Sequence, residues 1–144
     1  MTGTGAEAEA RAAWAVMCDL VLDHERRQEV SEAAGLPFSR VRALWRLAAS
    51  PRTLGELAAA LGIDPPNCTP VVDDLQKRGL VERRPNPADR RSKLVVTTTA
   101  GAELAKRAQD LWERPPVALQ DLTPDDLRTL VGILSRVRLL TTRK

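Results

Sequence analysis

The chain has 144 residues, one histidine, no tyrosine and a formal net charge of +3. A chain of that length buries roughly 70% of its extended-chain surface, enough for one domain with a real core, and its two cysteines do not make a disulfide framework. No run of about 18 apolar residues is present and the N-terminus is acidic and alanine-rich, so neither a membrane span nor a signal peptide is expected and the cytoplasm is.

From about Ala8 to Ser31, Ala10, Trp14, Met17, Val21 and Leu22 form an apolar stripe that predicts a first helix. Phe38, Val41, Leu44, Trp45 and Ala48 predict a second, ended near Ser50-Pro51. Thr53-Leu54-Gly55-Glu56 is a capping box, in which hydroxyl and carboxylate satisfy orphan amides of a first turn. Leu54, Leu57, Ala58 and Leu61 follow at i, i+3, i+4 and i+7, and Gly62 stands where a helix end needs positive φ. Asp64-Pro65 restarts a helix at once, with an N-cap acceptor and a proline at the first position. That helix ends at Gly79, after Gln76-Lys77-Arg78. Two helices joined so tightly cross steeply, as in a helix-turn-helix. Leu57, Leu61, Ile63, Cys68 and Val71 then form the shared core, with Ala58 at the crossing and Val72 and Leu75 inward. Pro66, Asn67, Thr69, Pro70, Asp73 and Lys77 face outward. Two ordinary packed helices also fit the pattern, but caps, glycine and core positions agree on the steep crossing.

After Gly79 the period changes. Leu80–Arg84 and Lys93–Thr97 are β-prone runs around a proline- and asparagine-containing turn, predicting a two-stranded hairpin. From Arg83 to Lys93 five basic residues stand against one acid, Asp89. Such a run is either a solvated turn or, directly after a recognition-helix candidate, a wing that reaches DNA phosphates or the minor groove. Thr98 caps a further helix with Leu104, Ala108, Leu111 and Trp112 on one side, interrupted by Pro115-Pro116. Thr123-Pro124-Asp125-Asp126 starts a last one, with Leu127, Leu130, Val131, Leu134, Val137 and Leu140 or Thr141 at helical spacing. Residues 1–35 carry 3 basic and 7 acidic side chains, residues 36–99 carry 11 and 6, and residues 100–144 carry 8 and 6. Positive charge is thus concentrated where the motifs predict DNA.

Asp89-Arg90-Arg91-Ser92-Lys93-Leu94-Val95-Val96-Thr97-Thr98-Thr99-Ala100-Gly101 resembles the wing and following helix start of the MarR (multiple antibiotic resistance regulator) family, with Thr97 where that pattern usually has leucine. Val71–Val81 is similar to the family's V-V-D-R-L-E-x-x-G-L-V, with Asp74 in place of the usual arginine. The resemblance implies a mainly α (α+β) fold, a winged helix-turn-helix with flanking N- and C-terminal dimerisation helices. The expected division is 1–35 as N-terminal dimerisation helix, 36–99 as winged DNA-binding lobe and 100–144 as C-terminal dimerisation helices. Terminal helices at both ends cannot all be covered by one lobe. A homodimer is therefore expected, the alternative being a monomer whose ends pack on each other. A twofold dimer presents two recognition helices about 34 Å apart to a pseudo-palindromic operator in double-stranded DNA.

The expected function is a DNA-binding transcriptional regulator, a repressor, with helix 65–78 in the major groove and wing 83–93 in the minor groove. Asn67 and Thr69 are candidates for base-edge and phosphate contacts, and Pro66 and Pro70 for apolar contact with a thymine methyl. Arg90 or Arg91 is the candidate for the minor groove, Asp89 for pairing with a wing arginine, and Arg84 and Lys93 for phosphates. Arg40 and Arg42 are weaker candidates. The resemblance also implies a small aromatic effector, for which Trp14, His24, Phe38, Trp45 and Arg46 could line a pocket; a core role for the aromatics is the competing reading. No metal-ligand spacing, phosphate loop or nucleophile with a partner is present, so no metal, no cofactor and no enzyme activity are expected. Two alternatives stay open: a winged-helix protein-interaction or dimerisation module, suggested by Asp73 and Asp74, and a cysteine-based redox-sensing regulator. Cys18 invites the second, but the tyrosines that assist such cysteines in the family are missing, and Cys68 occupies a core position.

Overall fold

The computed structural model describes residues 3–21 and 24–141, with side chains from 5–21 and 25–141. Its elements in chain order are α1 (Gly3–Val21), α2 (His24–Ala34), α3 (Phe38–Ala49), β1 (Arg52–Thr53), α4 (Leu54–Leu61), α5 (Pro65–Lys77), β2 (Val81–Pro85), β3 (Lys93–Thr97), α6 (Thr99–Trp112), α7 (Val117–Gln120) and α8 (Pro124–Thr141). The chain divides into two compact units, Met1–Trp112 and Glu113–Lys144. It is mostly helical with one small antiparallel sheet, the winged-helix class expected. No described helix is long and apolar enough to cross a membrane.

The single helix expected from Ala8 to Ser31 is two helices, and Leu22 lies outside the described residues. The apolar stripe of α1 does not continue into α2, whose only fully buried side chain among the described residues is Val30. A fully polar start, from His24 to Gln28, gives the chain no apolar face with which to prolong one straight helix.

The core of the first unit is built from α2, α3, α4, α5, the sheet and α6. Leu44, Leu47, Leu57, Val72 and Leu75 are at most 2% exposed, and Ala105 and Ala108 bring α6 onto them. The helix-turn-helix forms as its local chemistry dictates. Thr53 Oγ1 accepts from the Glu56 amide at 3.2 Å and Glu56 Oε2 accepts from the Thr53 amide at 3.1 Å. Gly62 takes φ 69° and ψ 33°, and the Ile63 amide ties back to the Ala58 carbonyl at 3.0 Å. That geometry turns Ile63 to the rim, 37% exposed, rather than into the core as expected; Leu61 is half-buried, while Leu57, Ala58, Cys68 and Val71 are buried.

Asp64 occupies the N-cap of α5 but its side chain accepts no helical amide, contrary to expectation. The next two positions are prolines without N–H groups, and the first free amide, Asn67, bonds the Asp64 backbone carbonyl at 2.9 Å.

The expected hairpin has a third strand. β1 pairs with β3 (Arg52↔Val95, Thr53↔Leu94), giving the order β1-β3-β2. Two residues are too short to show a period-2 pattern. The β2–β3 register runs from Val81↔Thr97 to Pro85↔Lys93, so Pro85 ends a strand instead of opening the turn. Thr98 caps α6, its Oγ1 accepting from the Gly101 amide at 3.1 Å and donating to the Gly79 carbonyl at 2.7 Å. In the second unit, Thr123 Oγ1 accepts from the Asp126 amide at 3.2 Å at the start of α8.

Candidate nucleic-acid interface

The first turns of α5 carry the expected readers. Pro66, Asn67 and Pro70 are exposed and Thr69 is half-buried, while Cys68, Val71, Val72 and Leu75 hold the opposite face in the core. With N1 and N2 both proline, the start of α5 has fewer free amides than an ordinary helix to offer an anion. Side chains, rather than main-chain amides, are therefore the groups this end presents.

The wing tip is a compact polar knot. Asn86 Nδ2 donates to Ser92 Oγ at 3.0 Å, and Asn86 Oδ1 accepts from the Ala88 amide at 3.0 Å. Asp89 Oδ1 accepts from the backbone amide of Arg91 at 2.9 Å. Asp89 therefore shapes the tip through the main chain and not by pairing with a wing guanidinium, because an acceptor two residues before an amide closes an Asx turn at no cost in side-chain ordering of a long arginine. Arg90, Arg91 and Lys93 are exposed, and among the described residues their side chains make no hydrogen bond or ion pair. Arg84, the other phosphate candidate, is engaged: its Nε donates to Glu82 Oε1 at 2.7 Å.

The acids of α5 are paired inside the chain. Arg83 donates to Asp73 Oδ1 at 2.7 Å and to the side-chain oxygen of Gln76. Asp74 accepts from Arg78 Nε at 3.0 Å and from Arg40 Nε at 3.4 Å. The Arg78 hydrogen bond holds the Asp74 carboxyl below the ordinary carboxylate range, with Arg78 and Arg40 charge adding to it against partial desolvation. Arg40 thus ties α3 to α5 instead of standing free for DNA.

Away from this face, α2, α3, β1 and α6 line a solvent-open cavity of about 500 Å³ formed by Arg27, Phe38, Arg42, Trp45, Arg46, Ala49, Arg52, Gln109 and Trp112. Phe38, Trp45 and Trp112 have centroids 5.2–5.8 Å apart, and the Arg27 guanidinium lies 5.6 Å from the Phe38 centroid. Trp45 Nε1 donates to the Ala105 carbonyl at 3.1 Å, fixing the indole. Three of the expected pocket residues, Phe38, Trp45 and Arg46, meet here. Trp14 does not: it sits on α1, 65% exposed. The side chain of His24 lies outside the described residues. The pocket residues missed from sequence are Arg27, Arg42, Ala49, Arg52, Gln109 and Trp112. A signal existed for Arg42, since Phe38, Arg42, Trp45, Arg46 and Ala49 follow at helical spacing on one face of α3; none existed for Arg27 or Arg52. Of the cysteines, Cys18 is half-buried on α1, and Cys68 is fully buried, which pushes its thiol pKa up.

Residues 34–92 match the MarR family model. The multiple antibiotic resistance protein MarR of Escherichia coli K12 is 37% identical over 87 residues, 57% of this chain and 58% of that protein. The match thus spans under two thirds of the length of that relative. Among solved structures, apo wild-type MarR from E. coli superposes with a TM-score of 0.70 at 27% identity, covering 88% of this chain and 95% of that one. A transcriptional repressor, CouR, solved bound to a 23-mer DNA duplex, gives 0.64 at 29% identity over 88% of this chain and 91% of that one.

Proposed function

The chain belongs to the MarR family, and from that membership we propose that it is a homodimeric transcriptional repressor that reads a pseudo-palindromic operator in double-stranded DNA. The observation that carries this reading is the pairing of an α5 face free at Asn67 and Thr69 with a wing whose Arg90, Arg91 and Lys93 have no partner among the described residues. Helix 65–78 enters the major groove with its N-terminal end, where Asn67 and Thr69 meet base edges and phosphates and Pro66 and Pro70 offer apolar contact. Arg90 or Arg91 enters the minor groove, Asp89 keeps the tip in shape, and Lys93 and Arg84 lie near phosphates. Arg84 must exchange Glu82 for a phosphate to do so. The DNA-bound CouR structure supports this placement by likeness.

The dimer is formed by the terminal segments, 1–35 and 100–144. Trp14, Leu20 and Val21 on α1 are 65–70% exposed, and Leu139 and Leu140 on α8 are 63% and 72% exposed. A second copy is the partner that such helices need. Release from DNA is by a small aromatic anion held among the arginines and the aromatic trio of the cavity. Such a ligand acts only by binding one lobe spacing better than the other. Neither alternative draws comparable support. Asp73 and Asp74, which suggested an interaction module, are already neutralised by Arg83, Arg78 and Arg40. Cys18, which suggested redox sensing, stands in a chain without the tyrosines that assist such cysteines in the family, and Cys68 is buried in the core.

The test is selection of bound fragments from the source genome at about 0.15 M salt, comparing wild type with Arg90→Ala/Arg91→Ala. An enriched inverted repeat that the double variant loses is the expected result. No enrichment, with weak salt-sensitive binding by both proteins, defeats the proposal.

A further inference from the structure

Arg83 lies in the middle of β2, opposite Val95 of β3, so by chain position it belongs to the wing. Its side chain, however, is spent on the recognition helix. One Nη donates to Asp73 Oδ1 at 2.7 Å and the other to the Gln76 side-chain oxygen. Asp73 and Gln76 are three residues apart, one above the other on a helix face. A planar guanidinium with donors in fixed directions spans two such acceptors; a single ammonium does not hold them in the same way. The Arg83 side chain is 27% exposed, against 64% for its neighbour Arg84.

The pairing has two effects at the DNA face. Pro70, Asp73, Lys77 and Arg83 line one shallow concavity beside the groove-facing surface. An unpaired Asp73 carboxylate there repels phosphates. The pairing also joins the hairpin that carries Arg90 and Arg91 to the helix that carries Asn67 and Thr69. Asp74, the next residue, goes the other way, to Arg40 on α3. Two adjacent acids therefore anchor α5 to two different elements.

We propose that Arg83 is a positioning residue for DNA reading: it fixes the wing on the recognition helix and cancels Asp73, and it is not a phosphate contact. The inference rests on the DNA-binding reading above. A phosphate contact needs charge near the backbone, which lysine supplies equally well. A fork that bridges Asp73 and Gln76 needs arginine.

The experiment selects duplexes from a randomised library with wild type, then measures affinity for them with Arg83→Lys and Arg83→Ala. Hydrogen exchange of residues 81–97 and the melting temperature are measured on the DNA-free proteins. We expect both variants to lose about tenfold or more in affinity, as a two-acceptor fork lost to lysine implies, with faster exchange in the wing and little change in melting temperature. Arg83→Lys binding within about threefold of wild type while Arg83→Ala fails makes charge sufficient and overturns the proposal. Unchanged wing exchange in both variants also overturns it, since no clamp was broken. If wild type recovers no duplex, the DNA-binding reading itself falls and this inference with it. Failure of the reading thus shows in wild type, and failure of the inference alone shows only in the variants.

Discussion

A Cβ added to Gly101 would stand 1.9 Å from the carbonyl oxygen of Leu80. The contact is backbone against backbone: α6 begins on the turn that leads into β2, and only a residue without a side chain fits between them. Leu80 O also accepts from the Thr98 amide at 3.0 Å, so it has no freedom to yield. Gly101→Ala is therefore expected to cost at least about 1–3 kcal/mol, the range of overpacked cores. Thermal or urea unfolding measures it. A variant as stable as wild type would mean that α6 and Leu80 part without penalty.

Leu75 and Ile63 separate buried from peripheral positions in the same motif. Leu75 is 0% exposed between α5 and the core, and Ile63 is 37% exposed at the turn. Leu75→Ala is expected to destabilise by about 2–5 kcal/mol. Ile63→Ala, with much of its side chain already in water, should cost under about 1.5 kcal/mol. Equal losses in denaturant midpoint would place Ile63 in the core after all.

These two residues also mark what could be read from sequence. The capping box at Thr53 and Glu56, the left-handed Gly62 and the caps at Thr98 and Thr123 were legible because each is closed by residues three or four apart. Leu75 was legible from helical periodicity. Ile63 was not, because a position beside a left-handed glycine follows the turn and not the period. Partnerships across elements were hidden for another reason. Arg52 pairs with Val95, Arg40 meets Asp74 and Arg83 meets Asp73 only once separate elements have packed. The charge of the wing was visible, but which arginines are spent internally was not: Arg84 was read as a phosphate candidate and Arg83 only as part of the basic run, whereas both are paired within the chain. For the same reason the aromatic trio was half seen. Phe38 and Trp45 share a helix, whereas Trp112 and Arg27 arrive from α6 and α2.

Asp74 makes stability depend on pH in a defined direction. Its folded carboxyl is held below the ordinary value by the Arg78 hydrogen bond, so the unfolded chain takes up the proton first as pH falls. The stabilisation is complete above the unfolded value, about 3.9. It is lost as pH drops from there through the lower folded value. Asp74→Asn should be less stable than wild type at pH 6, and the gap between the two should close on acidification. A gap that stays constant down to pH 2.5 would separate Asp74 from the acid sensitivity.

The cavity is expected to take an aromatic carboxylate, with Arg42 and Arg46 of α3 facing the charge and the three rings facing the hydrocarbon. Trp45 and Trp112 report on it; Trp14 on α1 is removed as background by Trp14→Phe. Titration with 1-naphthoate should quench the remaining emission. Arg42→Ala/Arg46→Ala should weaken binding about tenfold or more, the worth of a lost charge-assisted hydrogen bond. Quenching that is indifferent to the arginines would leave the aromatics as a core cluster only.

The terminal helices give the last prediction. Within α8, Leu127 and Leu130 are half-buried while Leu134 and Val137 are 42% and 46% exposed, all at helical spacing on one stripe. An apolar stripe that stays open on its own chain is covered in a dimer by the same stripe of the other copy. Charge placed there must be desolvated without a partner, which costs several kcal/mol per copy. Val137→Glu should shift the protein from dimer to monomer in sedimentation at low micromolar concentration, and helical circular dichroism should remain within about a tenth of wild type, since glutamate is a good helix former. DNA affinity should fall with the dimer, because two half-sites then have to be filled separately. A dimer that survives the substitution would move the interface off this stripe and onto the exposed face of α1.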